Sequence, residues 1–309
     1  MARGPTDVAP RMTSGGTMEA SHWTLSVTDL ARSSRFYRDV MGWAPVASPG
    51  DAPGGDAVRF VRDGQRVELV ALPAPTTERR PRPEVHHLGL SHMTVATGPA
   101  LDTMARLREC GAYVRDATLG SFVHDGDCTQ FLFEDPDGNI IETFAAGEDW
   151  NPFGIGESDT DSGSRAGIRH LSHWSLCVAD PDVSLPFYRD VLGWAEIMRL
   201  DWEGPGPSRV MGVGPARLTT WLLGSGGQRI EVIHFTEPPS PPRPERRAPG
   251  LSHISVRVDD AASTARALGA SAIRATVGDG TVTFEDPDGN VIVGLEPGNA
   301  RRWPSTPTR

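Results

Sequence analysis

Phe133-Glu134-Asp135-Pro136-Asp137-Gly138-Asn139-Ile140-Ile141-Glu142-Thr143-Phe144 occurs a second time, as Phe284-Glu285-Asp286-Pro287-Asp288-Gly289-Asn290-Val291-Ile292-Val293-Gly294-Leu295. In both copies an apolar run meets Asp-Pro-Asp-Gly-Asn. Proline presets φ, Asp and Asn side chains bond their own backbone, and Gly supplies a positive φ, so the chain reverses into a second strand. With a side-chain period of two, Ile140, Glu142 and Phe144 share one face and Ile141 and Thr143 the other. The first copy therefore sets a carboxylate among apolar neighbours; the second has Val293 there.

Working outward, the two copies belong to a longer repeat. His22-Trp23-Thr24-Leu25-Ser26-Val27-Thr28-Asp29 returns as His173-Trp174-Ser175-Leu176-Cys177-Val178-Ala179-Asp180, and Phe36-Tyr37-Arg38-Asp39-Val40-Met41-Gly42-Trp43 as Phe187-Tyr188-Arg189-Asp190-Val191-Leu192-Gly193-Trp194. A weaker repeat lies inside each half, since Leu90-Ser91-His92-Met93-Thr94-Val95 and Leu251-Ser252-His253-Ile254-Ser255-Val256 resemble the strands at His22 and His173. The chain thus holds four modules.

Module one reads as a strand from about Ser21, a helix capped by Asp29 and stopped at Gly42, and strands near Trp43–Ala47, Ala57–Arg62 and Arg66–Leu72, the last two joined at Asp63-Gly64. The order is βαβββ. Module two, about 88–146, repeats it with a helix near Ala100–Arg108 ended by Gly111. Module three, about 169–236, carries an insertion, and module four, about 250–297, is abbreviated. The fold class is α+β. Domains are expected at 20–147 (modules one and two) and 168–298 (modules three and four), with tails at 1–19 and 299–309 and a Gly/Ser/Asp-rich linker at 148–167. The stretches Leu72–Gly89 and Thr236–Gly250, rich in Pro and Arg, are expected to be extended crossovers.

Composition limits the functions open to such a chain. A formal net charge of −10 over 309 residues argues against nucleic acid or an anionic membrane as partner. Cys110, Cys128 and Cys177 are odd in number and lack CxxC spacing, which fits free thiols in a reducing compartment. With neither an apolar span nor a signal-peptide core in the sequence, a cytoplasmic protein is the expectation.

Period-two phasing puts Thr24 and Ser26 beside His22 and sends Trp23, Leu25 and Val27 to the opposite, helix-packing face. The same phase holds for His92 with Thr94, His173 with Ser175, and His253 with Ser255 and Arg257. The fourth strands of modules one and three add Glu68 and Glu231, each flanked by apolar residues. A buried carboxylate needs a partner. A divalent metal held by His nitrogen and Glu oxygen would provide one, and that donor set suits Fe, Mn, Co, Ni or Zn.

The His-x-x-Leu-x-Val-x-Asp runs at His22 and His173, the Phe-Tyr-Arg-Asp-Val-x-Gly-Trp that follows each, and the two Asp-Pro-Asp-Gly-Asn turns resemble the vicinal oxygen chelate (VOC) superfamily. That superfamily includes glyoxalase I, methylmalonyl-CoA epimerase, fosfomycin and bleomycin resistance proteins and extradiol dioxygenases. The resemblance spans about 20–297 and implies four βαβββ modules paired into two open eight-stranded mixed β-barrels, with ligands from the first and last strands of each module. Carried over by position, His22, Glu68, His92 and Glu142 form a complete set in the first half, with Glu142 or Glu68 as general base. His173, Glu231 and His253 form a weaker set in the second, where Val293 replaces the fourth ligand. Some four-module relatives instead join module one to four and two to three, which would regroup the donors as His22, Glu68, His253 and as His92, Glu142, His173, Glu231.

The implied function is that of a divalent-metal-dependent isomerase, epimerase or lyase that chelates a small substrate through vicinal oxygens. The alternatives are an Fe(II) extradiol-type ring-cleaving dioxygenase and a metabolite-binding or resistance protein without turnover. The partner is a small molecule, with a homodimer compatible with the resemblance. Substrate identity is expected in loops such as Leu200–Arg217.

Overall fold

The computed structural model describes residues 17–46, 57–72, 84–121, 128–146, 163–242, 250–297 and 299. Module one supplies β1 (Ala20–Val27), α1 (Leu30–Arg35), β2 (Ala44–Val46), β3 (Ala57–Arg62) and β4 (Gln65–Ala71). Module two supplies β5 (Gly89–Thr97), α2 (Ala100–Glu109), β6 (Tyr113–Gly120), β7 (Cys128–Glu134) and β8 (Ile140–Ala146). In module three come β9 (Ile168–Cys177), α3 (Pro181–Pro186), β10 (Ala195–Gly204), α4 (Pro205–Met211), β11 (Ala216–Ser225) and β12 (Gln228–Glu237). Module four ends the chain with β13 (Gly250–Arg257), α5 (Ala261–Ala270), β14 (Ala275–Gly278), β15 (Thr281–Glu285) and β16 (Val291–Leu295). The βαβββ order expected from the sequence is present in all four.

Asp29 caps α1 through its side chain, accepting from Arg32 N at 2.9 Å. One feature of this helix escapes the sequence. Past Arg35 it widens into a π-turn over Phe36–Val40, and α3 widens in the same way over Phe187–Val191. The added residue per turn lets the adjacent Phe36 and Tyr37, and then Val40 and Met41, all face inward.

Two eight-stranded mixed sheets form, in the orders β14-β15-β16-β13-β1-β4-β3-β2 and β10-β11-β12-β9-β5-β8-β7-β6. Neither closes on itself, so each is an open barrel. Module one thus shares a barrel with module four, and module two with module three. The residues 20–147 and 168–298, expected as one barrel each, contribute half of both. At the centre of each barrel two first strands run antiparallel, β1 against β13 and β5 against β9. The apolar faces of the central strands and the helices share one core, in which Trp23 of β1 stacks on Trp174 of β9 at 5.3 Å.

What holds modules one and two together is the opening turn. Asp135 is buried and accepts hydrogen bonds from Tyr37 Oη (2.7 Å), Asn139 Nδ2 (2.7 Å), and the backbone N–H of Asp137 and Asn139 (both 2.8 Å). Asp137 reaches the start of α1, where it accepts from Thr28 N at 3.0 Å and Ser33 Oγ at 2.6 Å. Gly138 takes φ 83° to complete the turn. The second copy repeats the arrangement, with Tyr188 on Asp286 and Ala179 N and Ser184 Oγ on Asp288.

Several expected boundaries shift. Residues 17–19, assigned to a tail, are held because Met18 N donates to Leu192 O (3.0 Å) and Trp194 Nε1 to Met18 O (2.9 Å). Of the linker 148–167, residues 163–167 pack on module one, with Ser164 Oγ donating to Val40 O. Its remainder, most of both tails, and residues 73–83 and 243–249 of the two Pro/Arg-rich crossovers lie outside the described residues. Leu200–Arg217, expected as a loop, is the end of β10, α4 and the start of β11. The insertion has its own apolar face: Val210 and Met211 are buried against Leu132, Ile140, Cys177, Ile233 and Phe235. Gly120 of β6 lets Arg209 and Val210 approach closely, so α4 covers one end of the second barrel.

Burial pushes the Asp135 carboxyl up to about 6, against the hydrogen bonds from Tyr37 and Asn139 that favour its ionised form. A carboxyl raised above its unfolded value favours folding below that value, and the advantage is lost as pH rises through about 6. The stability of wild type relative to Asp135→Asn should therefore fall by up to about 3 kcal/mol between about pH 4 and pH 7 in urea titrations. Tyr37→Phe should cost about 1–2 kcal/mol.

Candidate metal centre

Each of the four histidines follows a serine, and each serine is the extra residue of a β-bulge. The registers skip Ser21 and Ser252 between β1 and β13, and Ser91 and Ser172 between β5 and β9. The bulge sets the serine hydroxyl against the next imidazole, with Oγ to Nδ1 distances of 3.2 Å (Ser21–His22), 3.0 Å (Ser91–His92), 2.8 Å (Ser172–His173) and 3.0 Å (Ser252–His253). Nδ1 is thereby occupied and Nε2 is turned onto the inner face of the barrel. For His92 the tautomer follows. The single Ser91 hydroxyl proton goes to Val85 O at 2.6 Å, so at Nδ1 the hydroxyl accepts from the ring N–H, and the neutral ring presents its lone pair at Nε2.

In the second barrel, four adjacent strands bring their donors to one face. Thr94 stands opposite His173 and His92 opposite Ser175 across β5 and β9. Glu142 of β8 pairs with Thr94 and Glu231 of β12 with Ser175. His92, Glu142, His173 and Glu231 therefore lie together, related by an approximate two-fold between β5 and β9. His92 Nε2 is 3.6 Å from Glu142 Oε2, and His173 Nε2 is 3.5 Å from Glu231 Oε2. Thr94 Oγ1 donates to Glu142 at 2.9 Å and Ser175 Oγ to Glu231 at 3.2 Å, so each carboxylate is steered by the hydroxyl two residues past a histidine.

His92 and Glu142 are 1% and 4% exposed, whereas the Glu231 side chain retains 15%, which marks where the site opens. Burial alone would raise the Glu231 carboxyl, but His173 and Ser175 beside it hold it below its ordinary value. Burial pushes the thiol of Cys128 up, with the Glu142 charge adding to it, so it stays protonated. Leu132 and Leu222, paired with Glu142 and Glu231 on the outer strands, make the surroundings apolar.

Among the described residues the donors stand as two His–Glu pairs rather than as a contracted cluster of three or more. They nonetheless fit a divalent cation. His92 Nε2 and Glu142 Oε1 are buried acceptors without a hydrogen-bond donor, and a lone pair facing a carboxylate inside a protein calls for positive charge. Two imidazoles and two carboxylates satisfy Fe, Mn, Co, Ni or Zn.

The first barrel repeats this scaffold with one change of sign. Thr24 stands opposite His253 and Glu68, and Ser255 opposite His22 and Val293, so His22, Glu68 and His253 share a face with Val293 in the fourth place. Here the cation is built in. Arg59 of β3, paired with Glu68 where the second barrel has Leu132 and Leu222, is buried and donates Nε and Nη2 to Glu68 Oε1, each at 3.0 Å. His22 Nε2 lies 3.7 Å from Glu68 Oε2.

The structure accordingly regroups the expected ligands. His22 and Glu68 do not meet His92 and Glu142; they meet His253. His92 and Glu142 meet His173 and Glu231, and the complete four-donor set belongs to modules two and three. Glu68, a candidate base alongside Glu142, is instead bound to Arg59 in the other barrel. Sequence reasoning missed Arg59 and the four bulge serines, although the Ser-His dipeptide stands in all four modules, and it placed Thr94 and Ser175 beside the histidines without their bonds to Glu142 and Glu231.

Comparison with known proteins agrees with this architecture. The Glyoxalase/Bleomycin resistance protein/Dioxygenase superfamily matches residues 20–143 and 168–293, and the chain belongs to that family. Similar solved structures include glyoxalase I from Zea mays, at 16% identity and a TM-score of 0.60 over 90% of this chain and 92% of that one. A mutant of the same Zea mays enzyme gives 0.62 at 16% identity, covering 92% and 94%. A putative dioxygenase from Bacillus subtilis gives 0.56 at 15% identity, covering 93% and 87%. At these identities the likeness establishes the fold.

Removing the guanidinium beside a buried carboxylate is expensive, while removing both partners is far less so. Arg59→Leu should lower unfolding free energy by about 3 kcal/mol or more, and Arg59→Leu combined with Glu68→Leu should regain most of it in the same denaturant titration.

Proposed function

We propose that the second barrel holds one divalent metal through His92, Glu142, His173 and Glu231, and that the protein is a metal-dependent isomerase, epimerase or lyase acting on a small substrate with vicinal oxygens. The observation that carries this reading is the convergence of two His–Glu pairs on one face of four central strands, with His92 Nε2 and Glu142 Oε1 buried and lacking a donor. When bound, the metal would act as a Lewis acid that polarises the substrate oxygens and acidifies the neighbouring C–H.

The chain's own residues divide the remaining work. Ser91 and Ser172 fix the imidazoles, and Thr94 holds Glu142 as the more rigid carboxylate. Glu231, more exposed and held by the longer hydrogen bond, is the group that accepts the substrate proton and returns it to a neighbouring carbon. Leu132, Leu222 and the plug of Val210 and Met211 keep water from the reacting carbon. A fourth protein donor separates this set from the two-His, one-carboxylate triad of Fe(II) oxygenases, which favours proton transfer over ring cleavage.

Protein purified without added metal should contain close to one equivalent of a first-row divalent metal. Glu142→Gln and Glu231→Gln should each lower that content, whereas Glu68→Gln should leave it unchanged. Metal retained at wild-type level in both second-barrel variants would end the proposal, and oxygen uptake with catechols and Fe(II) would replace it with the dioxygenase reading.

A further inference from the structure

We infer that the turn Arg62-Asp63-Gly64-Gln65 of the first barrel is a positioning device for His173 in the second. Ser172, the bulged residue, has no register partner on β5, so its carbonyl is left over from the ladder. Two side chains take that carbonyl: Gln65 Nε2 donates to it at 2.9 Å and Arg229 Nε at 2.8 Å. Gln65, itself fully buried, donates to Leu171 O as well at 2.6 Å. Asp63 Oδ2 accepts from Leu171 N at 2.8 Å, and Asp63 Oδ1 lies 3.6 Å from His170 Nδ1. Arg62 Nη2 donates to the carbonyls of Ile168 and Arg169. The backbone over 168–172, which ends at the serine that orients His173, is thus held by three residues of another barrel.

The turn is shaped for this contact, with Asp63 at φ 51° and Gly64 at φ 76°, and Gly64 O accepts from Gln228 Nε2 at 3.3 Å. The other histidine of the site is supported differently. Ser91 is tied by its hydroxyl to Val85 O of its own connection. In the opposite direction the brace is lighter: Ser225 Oγ accepts from Ala20 N at 3.1 Å ahead of Ser21. The first barrel, whose own cation site is filled by Arg59, therefore acts on one ligand of the second, and His92 is a control within the same site.

Gln65→Met keeps the side-chain length and removes both donors. In metal-free protein, nitrogen-15 NMR should show the ring nitrogens of His173 shifting while those of His92 stay in place. Gln228→Met, which breaks the neighbouring contact to Gly64 without touching Ser172, should move neither. Because the inference rests on the proposed metal reading for its functional consequence, Co(II) titration is read separately, and Gln65→Met should weaken binding by about 10–100-fold. An unmoved His173, or equal movement of His92, overturns the positioning role even if wild type binds Co(II). A selective shift at His173 in a wild type that binds no Co(II) overturns the metal reading and leaves the positioning role standing. Should Gln65→Met fail to fold, Gln65→Asn retracts the same carboxamide by one methylene and is read in the same way.

Discussion

The buried carboxylate of Asp135, with its twin Asp286, is the contact on which the arrangement of the molecule depends. Four donors converge on Asp135, one of them the hydroxyl of a tyrosine that a π-turn has delivered from the preceding module. An unmet carboxylate there would cost several kcal/mol, so the turn and the preceding helix are fixed to one another. The inner faces of their strands are left to find other partners. Sheet pairing then runs across the halves, and the two central strands of each barrel come from opposite ends of the chain or from its middle.

That pairing decides the chemistry. Both barrels place two Ser-His bulges and at least one glutamate on an inner face, and both must neutralise a buried negative charge. The first does so with Arg59, a cation that is always charged and bonds Glu68 through two nitrogens. The second has leucines at the matching positions and four donors, two of them buried acceptors without a hydrogen. One scaffold thus meets a buried carboxylate in two ways, with a guanidinium in the first barrel and with histidines and hydroxyls alone in the second.

Much of this was legible from residue order, because it rests on short-range physics. The Asp-Pro-Asp-Gly-Asn turn, the Asp29 cap and the period-two alternation around each histidine act within a few residues, and they identified four βαβββ modules and which side chains face inward. The serine at each bulge was present but unread, since a bulge is defined only against a partner strand. Arg59 was unread for a related reason: a single arginine in a six-residue strand has no meaning until Glu68 is seen beside it.

The sequence by itself determined the modules and the inner faces on which their histidines and glutamates lie. It left their grouping open because four first strands carry the same Ser-His pattern, and any two of them pair antiparallel with similar local energy. Tertiary structure made the choice through contacts far apart in the chain: Tyr37 with Asp135, Trp23 with Trp174, and Gln65 with Ser172. Those contacts bring the His92–Glu142 pair to the His173–Glu231 pair and not to His22–Glu68, because each His–Glu pair forms within its own module while the pairing of first strands decides which two pairs share a face.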